Sequence, residues 1–378
     1  MRVAYFSPLP PEPSGVAAHS ALVLPALRRR VDVEVVPRGR KTADTDVALY
    51  HVGNDPRAHG WIVEALFARP GVVVLHEVAL HELAAGLTLG RGDRDAYLDA
   101  VEHEGGRRGR LLALGALDGM LPPLWELRPG EFPLVGPVLE NATGVVVHSR
   151  EAEQRVRASG YGGPVSRVPL AAALPRESVE PPKVEGLPLV CAFGVLNRAK
   201  RIPQLLEAFA RVRRSRPEAV LVLAGPGGEA LQLEARAERA GLLLGRDVHD
   251  AGYIDADELD GLLAAADICV TLRWPTLGEA SASALKALAH GRPLVVSDVG
   301  WFSELPGSVV AKVPVDAHEV DYLAAVLDLL ASDARLRERL GTAGREHVQR
   351  EHDVERTADG YVEALDRSMG AARLRAHG

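Results

Sequence analysis

The sequence is poor in cysteine, in aromatic residues and in long apolar runs. Of its 378 residues only two are cysteine, and 4% are aromatic. Because Cys191 and Cys269 each sit inside an apolar run, no bridge is needed to explain them, and we expect a reducing, cytoplasmic setting. No run of about 18 uncharged apolar residues occurs, and prolines interrupt the apolar start, so we expect neither a transmembrane helix nor a signal peptide.

Basic residues are outnumbered by acidic ones, and lysine is rare. The 44 basic residues face 51 acidic ones, giving a net charge of −7, so a large cationic face for nucleic acid is not expected. Only five basic residues are lysine, which makes each of them worth attention: Lys41, Lys183, Lys200, Lys286 and Lys312. With 47% hydrophobic residues, the composition is that of a globular protein and excludes a disordered, collagen-like or disulfide-stapled chain.

Short β-branched runs alternate with helical patterns along the chain, which predicts doubly wound α/β domains. The strand candidates are Arg2–Phe6, Val31–Val36, Val47–Tyr50, Val72–Leu75, Gly144–Val147, Val165–Val168, Leu189–Phe193, Ala219–Ala224, Val248–Ala251, Ile268–Leu272 and Leu294–Ser297. A proline-rich stretch over 174–188 predicts a linker between an N-terminal domain, residues 1–178, and a C-terminal domain, residues 186–354. From Asp316 onward the pattern is helical.

Tandem domains of this kind bind ligands at the carboxyl ends of their strands, so the loops that follow strands are the places to inspect. The loop after the strand ending near Leu272 leads into a helix expected over about 280–290. Small and acidic residues stand at the mouth of that helix: Gly278, Glu279, Ser281 and Ser283. Free amides and the positive end of the helix dipole suit a phosphate there. Helix capping by Glu279 and Ser281 explains them equally well.

A second loop places Lys200 and Arg201 between the strand Leu189–Phe193 and a helix. Cations at a helix N-terminus oppose the dipole, and a bound anion would remove that conflict. A solvated basic turn is the alternative. A third loop, after the first strand, ends at Gly15, where the backbone could approach a ligand closely. A plain turn explains its prolines equally well.

Three further segments give weaker indications of a binding site. The segment 225–230 reads G-x-G-x-x-A and resembles a dinucleotide fingerprint. His76 and His81 are five residues apart, whereas a helical zinc motif needs its histidines four apart, so no metal is expected. His76 follows a strand, where we expect a hydrogen bond to a substrate. His51 and Asn54 end another strand in the same manner.

The apolar stretch Leu111–Trp125 follows three arginines, Arg107, Arg108 and Arg110. A core helix with a solvated first turn is the favoured interpretation. The alternative is a peripheral contact with the inner face of the cell membrane over residues 105–127.

Several segments, taken in order, resemble the signatures of retaining glycosyltransferases of family 4: FSPLPPEPSGVAAHS, VVVHSREAEQRV, RVPLA, FGVLNRAKRIPQLLEAFARV, VLVLAGPG, AGYIDADELDGLLAAADICV and LKALAHGRPLVVSDVG. The resemblance covers nearly the whole chain. It implies the α/β GT-B fold, in which two Rossmann-like domains face each other across a cleft and the C-terminus is helical. The last helix, from about residue 355, is then expected to pack back on the N-terminal domain.

The resemblance also implies an activity. Such enzymes transfer a hexose from a nucleotide-diphosphate sugar, bound by the C-terminal domain, to a glycan, lipid or small-molecule acceptor in polysaccharide or glycoconjugate biosynthesis. No metal and no further cofactor is expected. The implied catalytic residues are His76, Lys200 and Glu279, and the acceptor-side residues are His51 and Asn54. The implied donor-binding residues are Gly15, Gly194, Asn197, Lys200, Arg201, Glu279, Ser281, Ala282 and Ser283.

Two departures from the family pattern concern the donor. Val195 follows Gly194 where the family often has arginine, and Arg201 is the nearest substitute. The glutamate that normally holds the donor ribose is replaced by Lys286, which cannot accept hydrogen bonds. Other classes therefore stay open: a nucleotide-sugar epimerase or phosphorylase on the same fold, a non-catalytic nucleotide-binding protein, or a dehydrogenase using residues 225–230.

Overall fold

Two parallel sheets carry the fold. In the computed structural model, which describes residues 1–40, 44–175 and 186–377, twelve strands form two sheets of six. The strands are β1 (Arg2–Phe6), β2 (Asp32–Val35), β3 (Val47–Val52), β4 (Gly71–Leu75), β5 (Ala142–Val147), β6 (Val165–Arg167), β7 (Leu189–Phe193), β8 (Val220–Ala224), β9 (Val248–Gly252), β10 (Ile268–Thr271), β11 (Leu294–Ser297) and β12 (Ala311–Val313). All eleven strands that the sequence predicts are present. Only β12, three residues long, was missed.

The described residues also form fifteen α-helices, the last three of which follow β12. They are α1 (Gly15–Arg28), α2 (Pro56–Ala68), α3 (His81–Thr88), α4 (Arg94–Leu117), α5 (Leu124–Leu127), α6 (Gly136–Glu140), α7 (Arg150–Ala158), α8 (Ile202–Ser215), α9 (Leu233–Arg239), α10 (Ala256–Ala265), α11 (Ala282–Ala289), α12 (Gly300–Glu304), α13 (Glu319–Ser332), α14 (Ala334–Glu351) and α15 (Val354–His377). Short 3-10 turns occupy Leu89–Arg91 and Arg198–Lys200.

The chain divides into two units, each with its own sheet. Unit 1 comprises Met1–Ala171, Pro275–Ala280 and Asp353–Gly378, and unit 2 comprises Ala172–Trp274 and Ser281–His352. These bounds differ from the expected 1–178 and 186–354 chiefly in the short segment Pro275–Ala280, which belongs to unit 1 although it follows a strand of unit 2. The expected linker over 174–188 lies largely on residues 176–185, outside the described ranges.

Unit 1 has the strand order β2-β1-β3-β4-β5-β6, and every pair is parallel. β3 and β4 are buried along their whole length, because helices cover both faces of a parallel sheet. The last helix, α15, is part of this unit. Its Thr357 hydroxyl donates to the Pro169 carbonyl at 2.9 Å, and its Tyr361 is fully buried.

Unit 2 has the order β12-β11-β10-β7-β8-β9, again all parallel. At its centre Cys191 of β7 and Cys269 of β10 are register partners, and both are free and buried. Their burial raises the pKa of the Cys269 thiol to about 12. These cysteines are therefore apolar core residues at neutral pH.

A buried histidine in unit 1 couples folding to pH. The His81 ring, fully buried, donates from Nδ1 to the Phe132 carbonyl at 2.7 Å and contacts the Tyr97 hydroxyl through Nε2 at 2.8 Å. Burial lowers the pKa of His81 to about 4. Its folded-state pKa thus lies below the unfolded value near 6.5.

We predict that this histidine destabilises the fold as pH falls. Between pH 6.5 and 4 the unfolded chain binds a proton at His81 that the folded chain does not, so the unfolding free energy decreases by up to about 3 kcal/mol across that window. Urea midpoints at about pH 7 and about pH 4.5 measure this loss. The uncharged variant His81→Gln should lose less stability than the wild type; an equal loss would contradict the assignment.

Candidate functional site

The sheet of unit 2 has its switch point between β7 and β10. β7 pairs with β8 on one side and with β10 on the other, so the strand order reverses there. Loops that leave the carboxyl ends of two such strands diverge and open a crevice, where doubly wound sheets bind ligands. The loop after β7 and the helix α11, which follows β10, are therefore the structural candidates for a binding site in unit 2.

Gly194, directly after β7, lies at the centre of this candidate site. It has φ +95°, and a Cβ built on it would lie 3.2 Å from Oγ of Ser283 and 3.3 Å from Nζ of Lys200. The missing side chain thus allows the Lys200 ammonium and the Ser283 hydroxyl to approach the same backbone position. The structure brings together three of the residues that the sequence predicts to bind the donor.

Hydrogen bonds hold Lys200 at its side-chain ammonium group and at its backbone amide. Its ammonium donates to the Phe193 carbonyl at 2.9 Å, and its backbone amide donates to Oδ1 of Asn197 at 3.2 Å. The residue is 7% exposed, so its charge lies almost entirely inside the protein. Asn197, predicted to bind the donor, thus has a visible role as the N-cap of the 3-10 turn that carries Lys200.

Ser281 is the N-cap of α11. Its hydroxyl accepts from the Ala284 amide at 3.1 Å, and its carbonyl accepts from the Leu285 amide. This confirms the capping interpretation for Ser281, and the helix begins at Ala282 rather than at residue 280. The amides of Ala282 and Ser283 precede those two and belong to the group that helices leave without intrahelical partners.

Arg201 is engaged elsewhere in unit 2. Its guanidinium forms a two-point ion pair with Glu319, Nε donating to Oε1 at 2.9 Å and Nη2 to Oε2. The Glu319 side chain is 2% exposed, so this pair is a buried structural contact. The sequence predicts an anion beside the cations that precede α8. For Arg201 that anion is the Glu319 carboxylate. Donor binding by Arg201 stays a prediction.

Lys286, which the sequence analysis expects to replace the family's ribose-binding glutamate, is also paired. Its ammonium lies 2.8 Å from Oδ1 of Asp260, and Nε2 of His290 lies 3.1 Å from the same oxygen. Desolvation raises the pKa of Asp260, but Lys286 and His290 together outweigh it and hold the pKa below its usual value. Lys286 thus joins α11 to α10 through an ion pair.

The glycines of segment 225–230 have a structural explanation. A Cβ on Gly225 would meet the Gly194 carbonyl oxygen at 2.2 Å, and one on Gly227 would meet the Leu196 carbonyl oxygen at 2.1 Å. Pro226 also accepts a backbone hydrogen bond from Leu196 at 2.7 Å. The resemblance to a dinucleotide fingerprint therefore reflects close packing of this loop against the loop after β7.

Glu279 is placed in unit 1, with the segment Pro275–Ala280. Its carboxylate accepts from the Leu277 amide at 2.6 Å and from the Thr276 hydroxyl at 3.0 Å. The Leu277 carbonyl in turn accepts from two backbone amides, those of Val78 and Ala79. Glu279 therefore braces its own loop, and its predicted role toward the donor stays a prediction.

The acceptor-side candidates of unit 1 are largely interior. β3 continues through Val52, beyond the expected end at Tyr50, and turns the His51 side chain inward, where it has no exposed surface. Asn54 is 5% exposed, and its side-chain oxygen accepts from the Leu83 amide at 3.2 Å. His51 and Asn54 are therefore interior residues of unit 1, and a role for them on the acceptor side stays a prediction.

His76 directly follows β4, as the sequence predicts. Its Nε2 lies 3.0 Å from Nδ1 of His51, and burial together with the nearby His148 lowers the pKa of His76 well below its usual value. The ring is therefore neutral at neutral pH and can exchange hydrogen bonds without carrying charge. His81, five residues later, contacts different neighbours, Tyr97 and Phe132.

Two further histidines, His19 and His148, pack against His76, and the sequence analysis missed both. The centroid of the His76 ring lies 5.3 Å from that of His19 and 5.0 Å from that of His148. His19 lies on the buried face of α1 among apolar residues such as Val23. A polar ring on an apolar helix face was the signal that could have identified it.

Gly15 opens α1, with Ser14 as the N-cap. A Cβ on Gly15 would meet nothing within 4 Å. The packing of the described residues therefore does not require glycine at this position.

The segment proposed for membrane contact has mixed exposure. Ala113 and Leu124 are buried, whereas Leu111, Met120 and Leu127 are exposed. Among the described residues, none of the helices combines the length and the apolar character needed to cross a membrane.

Comparison with known proteins relates the second half of the chain to sugar transfer. Residues 175–347 match the family model described as glycosyl transferases group 1. The curated D-inositol 3-phosphate glycosyltransferase of Kribbella flavida is 33% identical over 172 residues, which cover 43% of this chain and 39% of that protein. The chain thus matches about two fifths of the length of that relative.

Solved structures resemble the whole chain. Sucrose-phosphate synthase from Thermosynechococcus elongatus has a TM-score of 0.66 at 20% identity, covering 98% of this chain and all of that one. HepE from Anabaena, solved with UDP and glucose, has a TM-score of 0.64 at 15% identity, covering 97% of this chain and 99% of that one. At such identities the likeness shows the fold alone, a GT-B fold of two Rossmann-like domains.

The close approach at Gly194 yields a stability prediction. In Gly194→Ala the new methyl group meets Lys200 and Ser283 in a left-handed backbone conformation, so we expect the unfolding free energy to fall by about 1–2 kcal/mol. Urea titration followed by tryptophan fluorescence measures it. Gly15→Ala is the matched control, because space is open there and the backbone is helical; a loss of equal size in both variants would contradict the packing argument.

Proposed function

We propose, from the premise that residues 175–347 belong to the glycosyl transferases group 1, that the chain is a transferase that moves a sugar from a nucleoside-diphosphate donor to an acceptor. The configuration at the transferred sugar carbon is retained, and no metal ion takes part in the transfer. The observation that carries the proposal is the convergence of Lys200 Nζ, Ser283 and Gly194 beside the N-terminus of α11.

Cleavage of a sugar–phosphate bond places negative charge on the departing diphosphate. Lys200 supplies a fixed positive charge, and the amides of Ala282 and Ser283 supply donors at the positive end of a helix dipole. These groups are held by the fold before the charge develops, which is the condition for electrostatic stabilisation of a transition state. In this proposal they perform the role that a divalent ion has in other transferases.

The donor class rests on relatives and on this geometry together. HepE carries UDP and glucose in its own structure, and the curated relative is named a glycosyltransferase. Lys286 forms an ion pair with Asp260, so we propose that groups other than residue 286 recognise the donor ribose. Sugar, base and acceptor, whether glycan, lipid or small molecule, are left to a donor and acceptor panel with mass-spectrometric readout.

Unit 1 supplies the acceptor side of the proposal through His76, whose neutral ring offers a hydrogen bond to a sugar hydroxyl. An epimerase on this fold would act without any acceptor, so product analysis without acceptor separates the two. The dehydrogenase alternative loses its basis, because the glycines at 225 and 227 accommodate neighbouring backbone.

Removal of the lysine charge tests the donor site. In Lys200→Ala we expect turnover to fall by about 10²–10³-fold, because one preorganised charge is lost, and nucleoside-diphosphate binding to weaken. Lys312→Ala, which removes a lysine that bonds the Ser303 carbonyl in the same unit, is the control. Addition of EDTA should not lower wild-type turnover; an EDTA-inhibited enzyme indifferent to residue 200 would defeat the proposal.

Gly15 tests the close approach of ligand to unit 1. Because its surroundings are open, Gly15→Ala should leave the unfolding midpoint unchanged, and it should lower turnover by about tenfold if a ligand packs on the bare backbone. Steady-state kinetics and a thermal melt of the same sample measure both. Unchanged kinetics would remove Gly15 from the donor-binding set.

A further inference from the structure

Three histidines from separate parts of unit 1 meet in its interior. His19 comes from α1, His51 from β3 and His76 from the loop after β4. Each has a ring nitrogen, and the three nitrogens all lie within 4.8 Å of one another. Two of the rings are also hydrogen-bonded to each other, with Nδ1 of His51 3.0 Å from Nε2 of His76.

Hydrogen bonding within the described structure leaves this cluster incomplete. Nε2 of His19 lies 2.8 Å from the Tyr361 hydroxyl, but Nδ1 of His19 and Nε2 of His51 are buried without a hydrogen-bond partner there. His19 is 7% exposed and His51 is fully buried. Buried polar atoms are nearly always satisfied, so unsatisfied nitrogens of this kind point to a ligand.

We propose that His19, His51 and His76 bind one divalent transition-metal ion, with zinc as the reference ion. Neutral imidazole is a preferred ligand of zinc, cobalt, nickel and copper, whereas magnesium and calcium take oxygen ligands. Around an ion with metal–nitrogen bonds of about 2.0–2.1 Å, tetrahedral ligand nitrogens are about 3.3 Å apart. The three ligand nitrogens lie within 4.8 Å of one another, so the rings must move closer together to reach that spacing.

The surroundings of the cluster fit a metal ligand set. The Tyr361 hydroxyl fixes the His19 ring through Nε2 and leaves Nδ1 for the ion, the arrangement by which outer groups orient histidine ligands.

Three histidines leave one coordination position open, as in zinc sites that accept an exogenous ligand. Because His76 is a proposed participant in transfer, we expect an ion bound here to lower turnover, and this consequence alone rests on the proposed function. This metal site lies in unit 1, whereas the proposed donor site lies in unit 2 and needs no metal ion. An ion at the histidines is expected to inhibit transfer and not to support it.

Metal titration of the purified chain, after EDTA treatment and dialysis, tests the site. We expect one Zn²⁺ per chain by isothermal titration calorimetry and, with Co²⁺, the visible ligand-field absorption of a low-coordinate nitrogen site. His19→Gln should weaken Zn²⁺ binding by more than about tenfold. The control His318→Gln removes a histidine whose side chain is 71% exposed and should leave binding unchanged.

A second variant guards against failure of His19→Gln to fold. Tyr361→Phe keeps all three rings and removes only the hydroxyl that orients His19, so it should weaken Zn²⁺ binding by about 10–100-fold while preserving the Co²⁺ band. Absence of the Co²⁺ band in the wild type, or loss of binding in His318→Gln with retention in His19→Gln, would overturn the proposal. Calorimetry and absorption need no transferase activity, so they decide on the metal site even if the proposed function fails.

Discussion

The candidate donor site depends on one constraint, the close backbone approach at Gly194. Parallel topology places the ends of β7 and β10 side by side at the switch point, but only a residue without a side chain lets Lys200 and Ser283 reach the same position. The positive φ of Gly194 adds a second reason for glycine. The loop after β8 fits this geometry, because a Cβ atom at Gly225 or Gly227 would collide with the backbone of Gly194 or Leu196.

Buried ion pairs fix the helices that frame this site. Arg201 adopts a left-handed conformation at the start of α8, an unfavourable choice for arginine, and its pairing with Glu319 holds it there. Asp260 and Lys286 connect α10 to α11. Removing one partner from a buried pair leaves an uncompensated charge. These pairs therefore join the start of α8 to α13 and join α11 to α10.

Local pattern predicted most of the fold and part of the site. The strands could be predicted because they are short apolar runs. The rule that ligands bind at strand ends selected Lys200 and Ser283, which the structure brings together. The partner of Arg201 could not be foreseen, because Glu319 lies 118 residues away and the sequence carries no sign of the pairing. The placement of Pro275–Ala280 in unit 1 likewise follows from long-range packing.

The histidine cluster shows the limit of spacing rules. His76 and His81 do not have the spacing of a helical metal motif, and the rings that meet come from residues 19, 51 and 76. A sheet assembles neighbours from distant positions along the chain, so a ligand set built on loops and strands has no fixed spacing. Only the register of β3 and β4 places His51 beside His76.

Unit 1 is discontinuous in the chain: its sheet is built from the first 171 residues, but α15, which covers that sheet and holds Tyr361 against His19, begins at Val354. During synthesis the early strands therefore leave the ribosome long before the helix that buries them. Unit 2 lies between residues 172 and 352, apart from the segment Pro275–Ala280. It can therefore fold while unit 1 still lacks α15. The half of the protein that is translated first is thus the half that is completed last.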